Sequence, residues 1–317
     1  MIKKSILSFL WFLFALQIGF SQEMQLRFNR ISVDEGLAHS DVTSIIQDNG
    51  GFIWFATLRG LNRFDGYDIK TFFNENSPFE SVYKNRIVKI VPQNNLLWLV
   101  TQGGIECFDI KKEKFLKLKW KLNDNATLSK VKINSIYISN DDKAYVLSNN
   151  YLKVFSVDFS SAAEIVLTEN FLNNVPKSTM FLDMKSDKSG LEWMITNKGL
   201  FFVENYSGKT KLRKITVSNG DIIYSNFTGL YTNETNYLLL GTENGFLKAN
   251  TSVFDTKKQQ TVSTSFYKIN YPAISSRDGL DNGFFVNTFE KGLDNNYWIG
   301  STLGLIKATL VGTGYKY

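Results

Sequence analysis

Apolar residues fall in short runs along this chain, and the runs return in a fixed order. Val42 to Gln47, Phe52 to Thr57, Leu61 to Phe64 and Ile69 to Phe73 are rich in aromatic and β-branched residues. That composition suits a pleated, half-buried strand. Between the runs stand Asp48-Asn-Gly-Gly51, Gly60 and Asp65-Gly66, which are turn signals because glycine takes positive φ without steric cost. Residues 42–73 therefore predict four consecutive strands, here called A to D. Ile133–Ile138, Met180–Met184 and Phe284–Phe289 predict further A strands.

The unit repeats. Trp54-Phe-Ala-Thr-Leu-Arg-Gly-Leu61 returns at Trp98, Trp193 and Trp298, with weaker copies at Tyr145 and Leu239. The marker hydroxyls Thr57, Thr101, Ser148, Thr196, Thr242 and Ser301 stand 44, 47, 48, 46 and 59 residues apart. Four-stranded propeller blades recur at about 40–50 residues, whereas paired-helix repeats run near 33–34. The prediction is an all-β propeller of four-stranded antiparallel blades with six recognisable repeats, as a six-bladed or an incomplete seven-bladed ring. Residues 26–33 precede the first A strand and are expected to supply the missing outer strand of the last repeat. That would close the ring and remove an exposed edge. Trp54, Trp98, Trp193 and Trp298 are read as packing residues between tilted sheets; the alternative is a ring that stacks on a sugar or base. The wide last spacing predicts a polar excursion over 251–265 in the fifth repeat.

The N-terminus adds targeting. Lys3 and Lys4 precede an almost wholly apolar stretch, Ser5 to Phe20, with small residues before Gln22. This is the pattern of a signal peptide over 1–21 and an exported, periplasmic domain over 22–317; an uncleaved anchor is the alternative reading. The formal charge of +6 is mild, and nucleic acid is not an expected partner. Lys111 to Lys121 alternates lysines with apolar residues, which predicts a D strand whose solvated lysines discourage edge pairing. Cys107 is the only cysteine, so no intrachain disulfide can form, and it is expected to be a buried thiol.

Catalytic sets are scarce. His39 is the only histidine, and it adjoins Ser40 and Asp41, neighbours that rarely build a triad. One Cys and one His exclude the usual zinc ligand sets. No metal or cofactor is expected. A glycosidase-type carboxylate pair is not excluded by sequence, but Asp48, Asp65 and Asp109 occupy repeated turn positions. The spacing from Asp48 to Trp54, and from Asp187 to Trp193, resembles the Asp-box turn of sialidase-type propellers with one extra residue.

The string from Asp34 to Gly66, containing Asp-Glu-Gly-Leu-Ala-His-Ser-Asp and Phe-Ile-Trp-Phe-Ala-Thr-Leu-Arg-Gly-Leu-Asn-Arg-Phe-Asp-Gly, resembles the two-component regulator propeller repeat. Arg277 to Leu305 is a second clear copy. The resemblance implies the periplasmic sensor region of a hybrid histidine kinase, often for ligands derived from polysaccharides. It also implies a membrane helix, a kinase and regulator domains that this chain does not contain, so the chain is expected to match only the leading part of such a sensor.

In such a ring the D–A and B–C loops share one face. The side chains that vary there while the frame repeats are the expected ligand contacts: His39, Asp41, Arg59, Asn85, Arg86, Gln102, Asn149, Lys198 and Asn244. Tyr151 and Phe246 lie near them as possible aromatic platforms. The expected ligand is a mono- or oligosaccharide, and a homodimer is a further possible partner. The alternatives are a protein-interaction scaffold and a secreted propeller lyase or glycosidase.

Overall fold

The computed structural model describes residues 25–77, 83, 85–122, 132–149, 151–161, 164–170, 178–187, 189–206, 209–219, 222–227, 229–232, 237–242, 245–251, 261–268, 286–293 and 296–311. The expected signal peptide lies outside them. After β1 (Gln25–Ile31) and one short 3-10 turn, strands follow in groups of four. The first unit is β2 (Val42–Gln47), β3 (Ile53–Thr57), β4 (Gly60–Phe64) and β5 (Ile69–Phe72). The second is β6 (Ile87–Gln93), β7 (Leu96–Thr101), β8 (Ile105–Asp109) and β9 (Lys114–Lys121). The third is β10 (Ile133–Ile138), β11 (Lys143–Ser148), β12 (Leu152–Asp158) and β13 (Glu164–Asn170). The fourth is β14 (Phe181–Ser186), β15 (Glu192–Thr196), β16 (Gly199–Tyr206) and β17 (Lys209–Asn219), with β18 (Ile222–Tyr224) added to β17. The fifth is β19 (Gly229–Thr232), β20 (Tyr237–Thr242), β21 (Gly245–Asn250) and β22 (Thr261–Lys268). The sixth has β23 (Val286–Lys291), β24 (Tyr297–Ser301) and β25 (Gly304–Val311), and its outer strand is β1.

Closure by the N-terminus is therefore part of the fold. β1 runs antiparallel to β25 from Gln25 opposite Val311 to Ile31 opposite Leu305. A Cβ at Gly304 would run into the Ile31 carbonyl, so glycine allows the two strands to meet at that point. The inner strands β2, β6, β10, β14 and β19 pack side by side in order, and β23 packs on β2.

Five of the A strands, all but β19, share one irregularity. The register shifts between Val42 and Ser44, Ile87 and Lys89, Ile133 and Ser135, Phe181 and Asp183, and Val286 and Thr288. Each is a bulge that leaves the second residue unpaired and turns it out of the ladder. Three of these residues stitch their unit to the next. Thr43 Oγ1 donates to the Ile87 carbonyl at 2.7 Å, and Asn134 Nδ2 to that of Phe181 at 2.8 Å. Asn287 Nδ2 donates to that of Val42 at 3.0 Å. The sixth and first units are thus joined by the bond that joins the first and second.

Apolar residues collect between the units. Trp54 lies among Ile87, Ile90, Leu97 and Leu99 of the second unit, and Trp98 among Ile133, Ile136, Ala144 and Val146 of the third. Trp193 meets the fifth unit and Trp298 the first. Tyr145 takes the same place in the third unit, against Phe181, Met184 and Met194. Cys107 is buried in the second cluster, where burial and the nearby Asp109 charge push its thiol up.

Two expectations need correction. The lysine-rich strand β9 does have an exposed lysine face, with Phe115, Leu116, Leu118 and Trp120 half-buried. Its edge is nevertheless paired: β13 lies parallel to it, with Glu164 opposite Lys117. Lysines on a strand deter strangers, but the facing glutamate and the apolar side of the strand favour this one partner. The excursion expected over 251–265 is also shorter, because Thr261 already begins the outer strand β22.

Candidate ligand-binding face

The repeated hydroxyl has a structural task. Thr57 Oγ1 accepts from the Arg59 N–H at 3.0 Å, and Thr196 Oγ1 from the Lys198 N–H at 3.0 Å. Thr101, Ser148 and Ser301 accept from the Gly104, Tyr151 and Leu303 N–H groups in the same way. Each of the five also donates to the carbonyl of the residue three positions on. A buried backbone group without a partner is costly, so the hydroxyl fixes the B–C turn from below. Of the residues just after it, Arg59 and Gln102 are exposed, whereas Asn149 and Asn197 bond to the neighbouring loops. Gly60 completes the turn at φ 95°, and a Cβ there would lie 2.9 Å from the Phe72 carbonyl oxygen.

The opposite end of strand B is held by carboxylates. Asp48 Oδ1 accepts from the N–H groups of Gly50 and Phe52, and its Oδ2 accepts from Trp54 Nε1 at 2.7 Å. Asp187 repeats this with Ser189, Leu191 and Trp193 Nε1, the last at 3.0 Å. In the second unit Gln93 Oε1 takes the indole N–H of Trp98 at 2.9 Å. Asp65 and Asp109 cap C–D turns, at Tyr67 and Asp68 and at Lys112 respectively.

Because A and B are antiparallel, the start of each A strand and the end of each B strand lie on one face. There the candidates form local groups. His39 Nδ1 accepts from the Asp41 N–H at 3.0 Å, and Asp41 accepts from Asn287 at 2.6 Å. Asn85 has φ 60°; its carbonyl takes the Gly60 N–H at 2.7 Å and its side chain the Asn74 N–H at 2.6 Å. Arg86 and Gln102 are exposed and meet at 3.4 Å, while the Arg86 carbonyl accepts the Gln102 N–H. Asn149 accepts from Asn134 at 2.8 Å. Arg59 is exposed and Lys198 half-buried. Asn244 lies outside the described residues. Asn85, Asn149 and Asp41 therefore shape the loops, whereas Arg59, Arg86 and Gln102 project from them. Tyr151 is half-buried against the core between the second and third units, and its hydroxyl is buried, which pushes its pKa up to about 12.

Sequence reading missed Asn134, Asn197 and Asn287. Asn197 Oδ1 accepts from the Met180 N–H at 2.9 Å and holds the loop before β14. The position of Asn134 and Asn287, second in an A strand, was the available signal. It also missed a charged bridge along the inner strands. Lys89 of the second unit reaches past the third to Asp183 of the fourth at 2.7 Å, and Ser135 donates to the same oxygen at 3.0 Å. Burial would raise the Asp183 carboxyl, but the Lys89 and Lys185 ammonium groups hold it below its ordinary range. Burial lowers Lys185 against the pull of Asp183, and burial raises Glu290. Among the described residues no group of three His, Cys, Asp or Glu side chains is placed to hold a metal ion. No described helix is long and apolar enough to cross a membrane.

Residues 36–59 match the family model described as two component regulator propeller. The match covers one repeat, the loop before β2 through the B–C turn. A comparison with curated proteins gives no sequence match. Among solved structures, the chain is similar to the extracellular domain of a proposed hybrid two component system from B. thetaiotaomicron. The TM-score is 0.58 at 18% identity, over 91% of this chain and 42% of that one. A second such domain from the same organism gives 0.57 at 15% identity, over 94% and 44%. A streptogramin B lyase gives 0.56 at 12% identity, over 90% and 98%. At these identities the likeness is one of fold. The repeat chain spans about two-fifths of the two extracellular domains.

Proposed function

We propose that this chain is the ligand-sensing propeller of an extracytoplasmic signalling protein, and that the ligand is carbohydrate-derived. The observation that carries the reading is the division of labour within the repeats. In the first and fourth units the hydroxyl, the turn carboxylate and the Trp are all turned inward and spent on structure. The residues beside them on the loop face change from unit to unit, as Arg59, Gln102 and Lys198 do. Varied polar side chains on a constant scaffold suit recognition rather than packing. The family match at residues 36–59 supports the signalling role.

A thermal-shift screen of the protein against mono- and oligosaccharides tests this. A ligand that binds only the folded state raises Tm with concentration, and Arg59→Ala with Arg86→Ala should abolish the shift without changing the unliganded Tm. A shift that survives both substitutions would move the site elsewhere. The likeness to a streptogramin B lyase over nearly its whole length favours a second reading as a lyase. Turnover of any compound that raises Tm would support that reading over sensing.

A further inference from the structure

The strand-B tryptophans carry an internal comparison. An indole N–H is a donor only, and burying it without an acceptor is costly. Three units meet that demand from the turn between strands A and B. Asp48 serves Trp54, Gln93 serves Trp98 and Asp187 serves Trp193. In the third unit the ring is Tyr145, which has no indole, and Ser139 of the turn bonds within its own loop. In these four units the acceptor goes with the indole.

The sixth unit keeps the indole and lacks the acceptor. Gly292 stands six residues before Trp298, as Asp48 and Asp187 stand six before Trp54 and Trp193. Its N–H donates to the Asn296 carbonyl, as those of Asp48 and Asp187 donate to Phe52 and Leu191, so the three turns share one pattern. Trp298 is 4% exposed, enclosed by Leu37, Val42, Ile45 and Phe55. Its Nε1 is buried, and no protein group accepts from it. Glu290 lies cross-strand from Trp298, but its carboxyl accepts from the Gln47 N–H instead. The cation of the frame is kept: Lys307 lies 5.3 Å over the Trp298 ring, where Arg63 lies 5.6 Å over that of Trp54. What glycine omits relative to aspartate is one methylene and a carboxylate, the carbon and oxygen atoms of acetate.

We propose that the A–B turn of the sixth unit is a site for a small monocarboxylate of the size of acetate, whose oxygen takes the Trp298 indole proton in place of the missing aspartate. The bond is charge-assisted and so stronger than one to a neutral acceptor. The site lies on the face opposite the variable loops and is separate from the one proposed above.

Sodium acetate titrated into the isotopically labelled protein tests it, with acetamide and with sodium chloride at matched ionic strength as controls. Nuclear magnetic resonance reads the indole protons directly, and Trp298→Phe assigns one signal by its loss. Acetate should move the Trp298 signal saturably and leave those of Trp54, Trp98 and Trp193 in place, because these already have acceptors. Acetamide, the neutral isostere, should bind about tenfold more weakly, and chloride should not bind. Gly292→Asp should move the same signal without acetate, abolish its response to acetate and raise Tm. Arg59→Ala should leave the response unchanged, which separates this turn from the loop-face site. No saturable shift at Trp298, an equal shift from chloride or acetamide, a response that persists in Gly292→Asp or one that is lost in Arg59→Ala would overturn the proposal. The wild-type titration and its two controls decide the matter even if Gly292→Asp fails to fold.

Discussion

The gap between the first and second units and the gap between the third and fourth are built from the same strands and differ in what fills them. In the former, Trp54 is fully buried, stacks on Phe72 at 5.6 Å and meets Phe108 at 5.5 Å, and Asp48 takes its indole proton. In the latter, Tyr145 stands at that position beside Tyr137 at 5.9 Å, and the turn serine bonds within its own loop. A complete frame seals its gap; an altered frame leaves a polar cleft. The repeat therefore sets the architecture, and its exceptions set what is local to one gap.

The largest effect should come from breaking the sealed gap. Trp54→Ala removes a fully buried ring and is expected to cost about 3–5 kcal/mol in urea unfolding. Tyr145→Ala should cost less, because a smaller ring is removed beside a gap that is already open. Equal losses would mean that the two gaps are equally packed and the contrast is superficial.

Next in size is the bridge that spans the third unit. Lys89→Met leaves the Asp183 carboxylate without its closest cation, and removing a charged partner costs about 2–3 kcal/mol at pH 7. Asp183 is held below its ordinary 3.8. Its contribution is therefore complete above that value and is lost as pH falls through the folded-state value. In the variant burial dominates, so the acid unfolding midpoint should move to higher pH. An unchanged midpoint would show that Lys185 alone holds the carboxylate.

The turns separate the two gaps again. Asp48→Ala deletes the indole bond and two turn bonds, for an expected loss of about 2 kcal/mol. Ser139→Ala deletes only loop-internal bonds, for about 1 kcal/mol. Chemical denaturation of both variants checks the ratio; a larger loss from Ser139→Ala would reverse the assignment of sealed and altered frames.

Much of this architecture was legible because it is local and repeated. Strand A at Val42–Gln47 and at Ile133–Ile138 has the predicted bounds, since turn residues and apolar periodicity fix both ends. The closing strand was legible because the last repeat lacks an outer strand and residues 26–33 come before the first A strand. The β9–β13 pairing was not, because an edge partner 47 residues away leaves no mark on either strand's own pattern. The charged bridge was equally hidden: Lys89 and Asp183 sit at polar positions like many others, and only the ring brings them together. The loop-face residues were located by topology. Which of them point outward depended on hydrogen bonds, such as that of Asn134 to Asn149, that no single strand encodes.

The smallest expected change in stability is also the most discriminating. Glu192→Leu restores to the fourth unit the kind of residue that Ile53 and Leu97 supply in the first two. If apolar packing decides this gap, the substitution should leave stability unchanged or raise it by about 0.5–1 kcal/mol, as filling a polar departure in a packed gap often does. If the contact between Glu192 and the Tyr137 phenol decides it, the substitution strands the phenol and should cost about 1–3 kcal/mol. One urea titration of Glu192→Leu thus separates apolar packing from a polar contact, because the two predict opposite signs for the same substitution.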